Sequence, residues 1–296
     1  MITLFAPDGI GEVGPGTDLA AEIVAAVAAD PAGPLHTGDI VVVTSKVVSK
    51  AEARYVAADR RDEAIDAETV RTVARRGDTR IVRTRSGLTL AAAGVDNSNV
   101  APEHILLLPV DPDASAARLR RDLEALTGTR LGVLLSDTAG RAWRIGQTDQ
   151  AIGASGLRVV ERYEGRRDDY GNDLHVTAVA VADELAAAAD LVKAKLSQRP
   201  VAVIRGLSEA LVDDQLTAET RAADLVREEA TDMFRYGSRE AVLAAVLAAT
   251  GQGERYEELL RFSSAGSMAD AAVAGADLSG GEAEMLRRVL TASWRA

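Results

Sequence analysis

The run from Leu131 to Leu135 carries no polar side chain and stops abruptly at Ser136-Asp137-Thr138. Such a run reads as a buried strand. A carboxylate and a hydroxyl at its end are presented to a cleft by a rigid scaffold. A Gly-punctuated turn with two arginines follows, Ala139-Gly140-Arg141-Ala142-Trp143-Arg144-Ile145-Gly146-Gln147-Thr148-Asp149. Asp137 suits a hard cation bound through oxygen, and Arg141 and Arg144 suit phosphate or carboxylate oxygens. The alternative for the segment alone is a loop closed by a surface salt bridge.

Composition narrows the chemistry. The formal net charge of −11 argues against nucleic-acid or anionic-membrane partners, which need a basic footprint. There are no cysteines, so disulfides, thiolate zinc, iron–sulfur clusters and a Cys nucleophile are excluded together. The three histidines, His36, His104 and His175, are scattered, and any metal is expected to be oxygen-ligated: magnesium, manganese or calcium. The N-terminus lacks a basic region and a long apolar core, and no window is long and apolar enough to span a bilayer. The expectation is a soluble, cytoplasmic protein.

Along the chain, residues 2–6 read as a short strand leading into Gly9-Ile10-Gly11-Glu12-Val13-Gly14-Pro15-Gly16. The spacing of Gly9, Gly11 and Gly14 matches G-x-G-x-x-G, the dinucleotide fingerprint. Pro15 and Gly16 postpone the helix, however, whose N-cap falls on Thr17 or Asp18. A glycine-rich turn is the simpler reading. The strand Asp39–Thr44 then runs into Ser45-Lys46-Val47-Val48-Ser49-Lys50, two hydroxyls and two ammonium groups suited to a polyphosphate, or else a solvated basic turn. Residues 58–78 read as an exposed charged helix or loop, and Thr79–Leu90 as a hairpin with a Ser86-Gly87 turn.

Asp96-Asn97-Ser98-Asn99 offers oxygen ligands, or an Asx-turn tied to its own backbone. Ile105–Leu108 reads as a strand, and Asp111-Pro112 starts an amphipathic helix over Ala116–Leu126. The small residues of Ala151–Leu157 suit close packing or a backbone approaching a ligand. Thr177–Lys195 is expected to be one helix with Asp183-Glu184 on its surface, Val201–Gly206 a final strand, and the chain from Asp213 onward helical.

Four segments occur in order: Ser45–Glu52, Gly94–Val100, Ser136–Asp149 and Ala182–Ala186. Together they resemble the coenzyme F-420-0:L-glutamate ligase family (F-420:gamma-glutamyl ligase) over roughly residues 1–245. The resemblance implies an α+β fold of two interleaved lobes, not a Rossmann fold, and an intertwined homodimer with a cleft between lobes. It implies a 1–245 ligase domain and leaves 246–296 as a helical extension, without the C-terminal nitroreductase-like domain of actinobacterial two-domain relatives. The implied activity is GTP-dependent addition of L-glutamate to the lactyl carboxylate of coenzyme F-420-0, and of further gamma-linked glutamates, through an acyl phosphate. Two divalent ions, manganese or magnesium, are implied, with room for K+.

Carried over by position, the metal ligands are Asp96, Asp137 and Thr138, with Gln198 the nearest oxygen-bearing candidate after the long helix. The GTP contacts are Gly9, Ile10, Gly11, Glu12, Ser45, Lys46, Lys50 and Asn99. Asp137 is expected to be catalytic. Arg141 and Arg144, by reading of the residues rather than by resemblance, are expected to bind the anionic tail or the transferred phosphate. The alternatives are a dinucleotide-binding oxidoreductase resting on Gly9, Gly11 and Gly14, and a non-catalytic F-420-binding protein. Coenzyme F-420-0, L-glutamate and GTP are thus the expected partners, with no nucleic acid or membrane among them.

Overall fold

The computed structural model describes residues 1–174, 177–207, 212 and 220–295. In chain order the first elements are β1 (Thr3–Phe5), α1 (Leu19–Ala29), β2 (Ile40–Thr44), α2 (Ser45–Ala51), β3 (Tyr55–Ala57), α3 (Arg61–Glu68), β4 (Thr69–Arg76), β5 (Thr79–Thr84), β6 (Thr89–Ala91) and β7 (His104–Leu106). They are followed by α4 (Pro112–Thr127), β8 (Gly132–Gly140), β9 (Gln147–Ser155), β10 (Glu161–Arg162), β11 (Ala178–Val179), α5 (Val181–Lys193) and β12 (Val201–Arg205). The last are α6 (Ser238–Ala249), α7 (Tyr256–Leu259), α8 (Ala265–Ala274) and α9 (Gly280–Arg295). The mixed α+β character expected from the sequence is met. No helix among the described residues is long and apolar enough to cross a membrane.

The chain divides into two compact units. One comprises Met1–Ala64, Ser86–Leu88 and Gly94–Arg227; the other comprises Ile65–Arg85, Thr89–Ala93 and Glu228–Ala296.

The first unit is built on a five-stranded sheet in the order β1-β12-β2-β8-β9. Only β2 and β8 are parallel neighbours, with Thr44, the last residue of β2, beside Ser136, after which β8 continues to Gly140. The two apolar runs are buried on both faces, which is why they lack polar alternation. Val41, Val43, Val133 and Leu135 pack with Ile23 and Val27 of α1 and Leu119 and Leu123 of α4. Ile40, Val42, Leu134 and Ile204 pack on the other side with Leu185, Ala186 and Ala189 of α5. Burying each such side chain contributes roughly 1.5–3 kcal/mol, so these runs fix the sheet.

Local signals act as read. Asp18 caps α1, its carboxylate accepting from Ala21 N–H at 3.0 Å. Asp111 caps α4 in the same way, with Pro112 in the first turn and Gly128 closing the helix at φ 68°. The small residues after Asp149 serve close packing: a Cβ at Gly153 would lie 2.4 Å from the Pro112 carbonyl oxygen. β12 lies between β1 and β2. A dinucleotide unit needs two adjacent parallel strands joined by its helix, so the glycine turn after β1 is not that fingerprint.

The second unit has its own sheet, β4-β5-β6, and its own core, formed by Leu243, Leu247, Leu259, Met268 and Leu290 on α6–α9. Tyr256 donates its hydroxyl to the Thr72 carbonyl at 3.0 Å. Glu257 accepts from Thr72 N–H at 2.7 Å and from its hydroxyl at 2.9 Å.

Four expectations need correction. Residues 69–76, within the segment read as an exposed helix or loop, form β4, because the sheet buries Thr72 and Val73 despite the arginines around them. Ser45–Lys50 is the body of α2, not a turn, and Lys50 is buried. The helix expected over Thr177–Lys195 spans only Val181–Lys193, since Ala194 adopts φ 48° and ends it. From Thr220 to Gly237 the backbone makes short 3-10 turns rather than an α-helix. The expected helix start at Asp213, like His175, lies outside the described residues.

Candidate active site

The parallel register of β2 and β8 places the start of α2 beside the polar part of β8. Ser45, the first residue of α2, donates its hydroxyl to Asp137 Oδ1 at 3.0 Å. A register shift in the β8–β9 ladder falls between Leu135, opposite Gly153, and Ser136, opposite Ala151, so Ile152 of β9 is the extra residue. A bulge at such a place re-aims the side chains beyond it. Ser136 and Thr138 turn to one face of the strand and Asp137 to the other, as alternation requires.

Asp96 arrives from a third segment. Its backbone N–H donates to Leu106 O at 3.0 Å, and it accepts from Leu106 N–H at 2.8 Å, which pins it beside β7. Its carboxylate receives Lys46 Nζ at 2.7 Å. Lys46 also donates to the Ser98 hydroxyl. The Asx-turn is present as well, with Ser98 N–H donating to Asp96 Oδ1 at 2.7 Å. Burial works against the charged form of Asp96, but the Lys46 hydrogen bond, the Ser98 N–H and the Lys46 charge outweigh it. They hold the carboxyl below its ordinary value.

Asp137 behaves oppositely. Burial and the charges of Asp149 and Asp96 push its pKa up to about 6, against the hydrogen bond from Ser45. It is a carboxylate with a neutral donor and two anionic neighbours. A hard cation would relieve that repulsion.

On the other face of the strand end, Asp149 is buried and fully engaged. It accepts from Ser136 Oγ at 2.7 Å, from Thr138 Oγ1 at 2.8 Å and from Lys193 Nζ at 2.8 Å. Burial disfavours its charge, yet Lys193, by charge and hydrogen bond, and the two hydroxyls lower its pKa.

A further pair ties the glycine turn to α2, with Lys50 Nζ 2.6 Å from Glu12 Oε1. Gly9 takes φ 93° in that turn, and Gly16 N–H donates to Ala51 O at 3.0 Å. The structure therefore joins Ser45, Lys46, Asp96 and Asp137, places Thr138 next to Asp137, and brings the Gly9–Glu12 loop to Lys50. Other expected residues are not joined to this cluster. Asn99 is exposed with φ 54°, and Gln198 is exposed with φ 58°. Arg141 and Arg144 are exposed at the β8–β9 turn. Among the described residues, no hydrogen bond or ion pair links any of these four to Asp96, Asp137 or Thr138.

Two participants escape the motifs. Lys193 sits at the end of α5, four residues after Ala189 on the helix's buried stripe of Val181, Ala182, Leu185, Ala186 and Ala189. A lysine in phase with such a stripe is its own signal, since lysine is almost never fully buried unless paired. Asp183, expected on the helix surface, instead accepts Ala151 N–H at 2.9 Å, and burial raises its pKa. Glu184 is exposed as expected.

Comparison with known proteins decides the family. The family model for F420-0:Gamma-glutamyl ligase matches residues 9–206. The chain belongs to that family. It is 36% identical over 244 residues to a coenzyme F420:L-glutamate ligase of Methanopyrus kandleri, covering 76% of this chain and 94% of that protein. It is 35% identical over 254 residues to the protein of that name from Methanothermobacter thermautotrophicus, covering 79% and 99% respectively. The Archaeoglobus fulgidus protein of the same name is 35% identical over 253 residues, covering 79% of this chain and 96% of its own length. The family match contains every member of the polar cluster from Gly9 to Lys193. It also spans β12, whose position beside β2 closes the sheet on which the cluster stands.

Proposed function

We propose that this chain is a ligase that joins L-glutamate to the lactyl carboxylate of coenzyme F-420-0, and further glutamates through gamma linkages, driven by GTP. Family membership supports the reaction. The observation that carries the site is the convergence of three distant segments, with Ser45 on Asp137 at 3.0 Å and Lys46 on Asp96 at 2.7 Å.

The residues fit divalent metal. Every available donor there is oxygen, as hard cations prefer. Among the described residues no set of three His, Cys, Asp or Glu side chains is placed to cage an ion. That suits an ion held by one or two carboxylates and completed by hydroxyl and phosphate oxygens, the habit of magnesium in nucleotide sites. Asp96, Asp137 and Thr138 would hold such ions, which would neutralise the phosphates and orient the transferred group.

The rest falls to side chains. Lys46 and Lys50 are point charges that can exchange Asp96 and Glu12 for phosphate oxygens. The backbone of Gly9–Glu12 and the Ser45 hydroxyl supply neutral donors close by. Phosphoryl transfer is catalysed mainly by positioning and charge neutralisation. The γ-phosphoryl group passes to a carboxylate oxygen of the coenzyme and GDP departs. The glutamate amine, once deprotonated, attacks the acyl carbon, and orthophosphate leaves as the amide forms.

Incubation of the protein with F-420-0, glutamate, GTP and Mn2+ should yield GDP and a coenzyme heavier by one glutamyl residue. Asp137→Ala should lose nearly all turnover. Absence of GDP and of a heavier coenzyme with every divalent metal tried would overturn the proposal.

A further inference from the structure

The buried group formed by Lys193, Asp149, Ser136 and Thr138 fixes the direction of each of its protons. An ionised carboxylate accepts only, so the 2.8 Å contact between Thr138 Oγ1 and Asp149 Oδ1 commits the single hydroxyl proton of Thr138 to Asp149. The same holds for Ser136, which donates to Asp149 Oδ2 at 2.7 Å and receives Lys193 Nζ at 2.8 Å. Lys193 has three protons and three acceptors: Asp149 at 2.8 Å, Ser136 at 2.8 Å and Thr44 Oγ1 at 3.3 Å. Thr44 is the residue before Ser45, so the same ammonium also braces the end of β2.

Thr138 and Asp149 stand opposite one another in the β8–β9 register. Asp149 and Lys193 are each 3% exposed, so water does not compete for these bonds. With its proton spoken for, the Thr138 oxygen keeps its lone pairs for an electrophile at the strand end. A hydroxyl free to rotate would spend part of its time aiming the proton there instead.

We propose that Asp149 is the positioning residue that turns the Thr138 hydroxyl into a cation ligand, and that Lys193 is the internal counter-ion keeping Asp149 in that role. The proposal rests on the reading of Thr138 as a metal ligand. Partners behind a metal ligand typically change metal affinity by about 10–100-fold when removed. A purely structural pair would not act through one hydroxyl.

The test is Mn2+ binding by the intact chain in saturating GDP, followed through the electron paramagnetic resonance of free Mn2+. Asp149→Asn should weaken binding at least about tenfold: the amide keeps one accepting oxygen, which the Lys193 ammonium and Ser136 hold, and its NH2 then faces Thr138. Thr138→Val should weaken it similarly, and Asp149→Asn added to Thr138→Val should cost nothing further. If Asp149→Asn does not fold, Asp149→Glu keeps the counter-charge for Lys193 while displacing the acceptor from Thr138, and the same loss is expected. Wild-type affinity in the folded Asp149 variant, or additive losses in the double variant, would overturn the proposal. If wild type binds no Mn2+, or Asp137→Ala binds it as wild type does, the metal reading itself fails and this inference falls with it. If Asp137→Ala abolishes binding while Asp149→Asn leaves it intact, the inference alone fails.

Discussion

The β8–β9 hairpin has two ends that look equally functional as sequence and differ entirely as structure. At the inner end, Ser136, Thr138 and Asp149 are locked together with Lys193, and Asp137 is held by Ser45. At the turn, Arg141–Gln147 is exposed throughout, with Trp143 at 81% and Ile145 at 103% exposure. Geometry at the inner end is over-determined by packing and charge. One contiguous motif thus contains a packed, preorganised half and a solvent-exposed half, and preorganisation is what positioning catalysis requires.

The contrast breaks most visibly if the inner end is not the rigid one. Lys193→Met should lower unfolding free energy by about 3–5 kcal/mol, because it leaves Asp149 buried without its counter-charge. Chemical denaturation at neutral pH measures this. A cost below about 1 kcal/mol would show that the strand end tolerates an unpaired carboxylate and is not rigidly specified.

The inner end was legible in part because its chemistry is contiguous: an apolar strand breaking at Ser136-Asp137-Thr138 announces a presented carboxylate. Asp96 and Lys46 were found through their own polar runs. Their pairing depends on β2 lying beside β8 and on Asp96 bridging to Leu106, which are properties of the sheet and not of either run. Lys193 was missed because it sits 44 residues from Asp149, on a helix whose pattern reads as core plus surface. β4 was missed for a related reason. Its arginines look solvated until Arg71 finds Glu229 at 2.9 Å, 158 residues away. The Asp18 and Asp111 caps and the hairpin around Ser86-Gly87 were readable because turn and cap chemistry is local.

Asp137 sharpens the comparison within the inner end itself. Burial and its anionic neighbours raise its pKa in the folded protein to about 6, above the ordinary carboxylate value. The folded state therefore holds this proton more tightly than the unfolded chain does. The resulting stability is fully present below about pH 4 and is lost as pH rises through about 6. Asp137→Asn removes the titration. Relative to wild type, the variant should gain up to roughly 3 kcal/mol between pH 4 and 7.5. Mn2+ should then restore wild type at pH 7.5 and leave the variant unmoved. A wild-type-to-variant difference that does not change with pH would mean that Asp137 carries no repulsion for a cation to relieve.

The smallest effect on stability belongs to the turn, where Arg141→Ala with Arg144→Ala should shift unfolding by no more than about 0.5 kcal/mol, as exposed substitutions do. Its effect on function should be larger and of a different kind. Guanidinium groups that meet an anionic coenzyme at an exposed turn act through screened charge. The double variant should therefore raise KM for the coenzyme severalfold at low salt while leaving kcat nearly unchanged. That deficit should shrink as ionic strength rises to about 0.5 M, where the screening length falls to a few ångströms. A loss in kcat independent of salt would place the arginines at the reacting phosphate, and the hairpin's two ends would then belong to one preorganised site. An unchanged KM at every salt concentration would remove the turn from the site altogether.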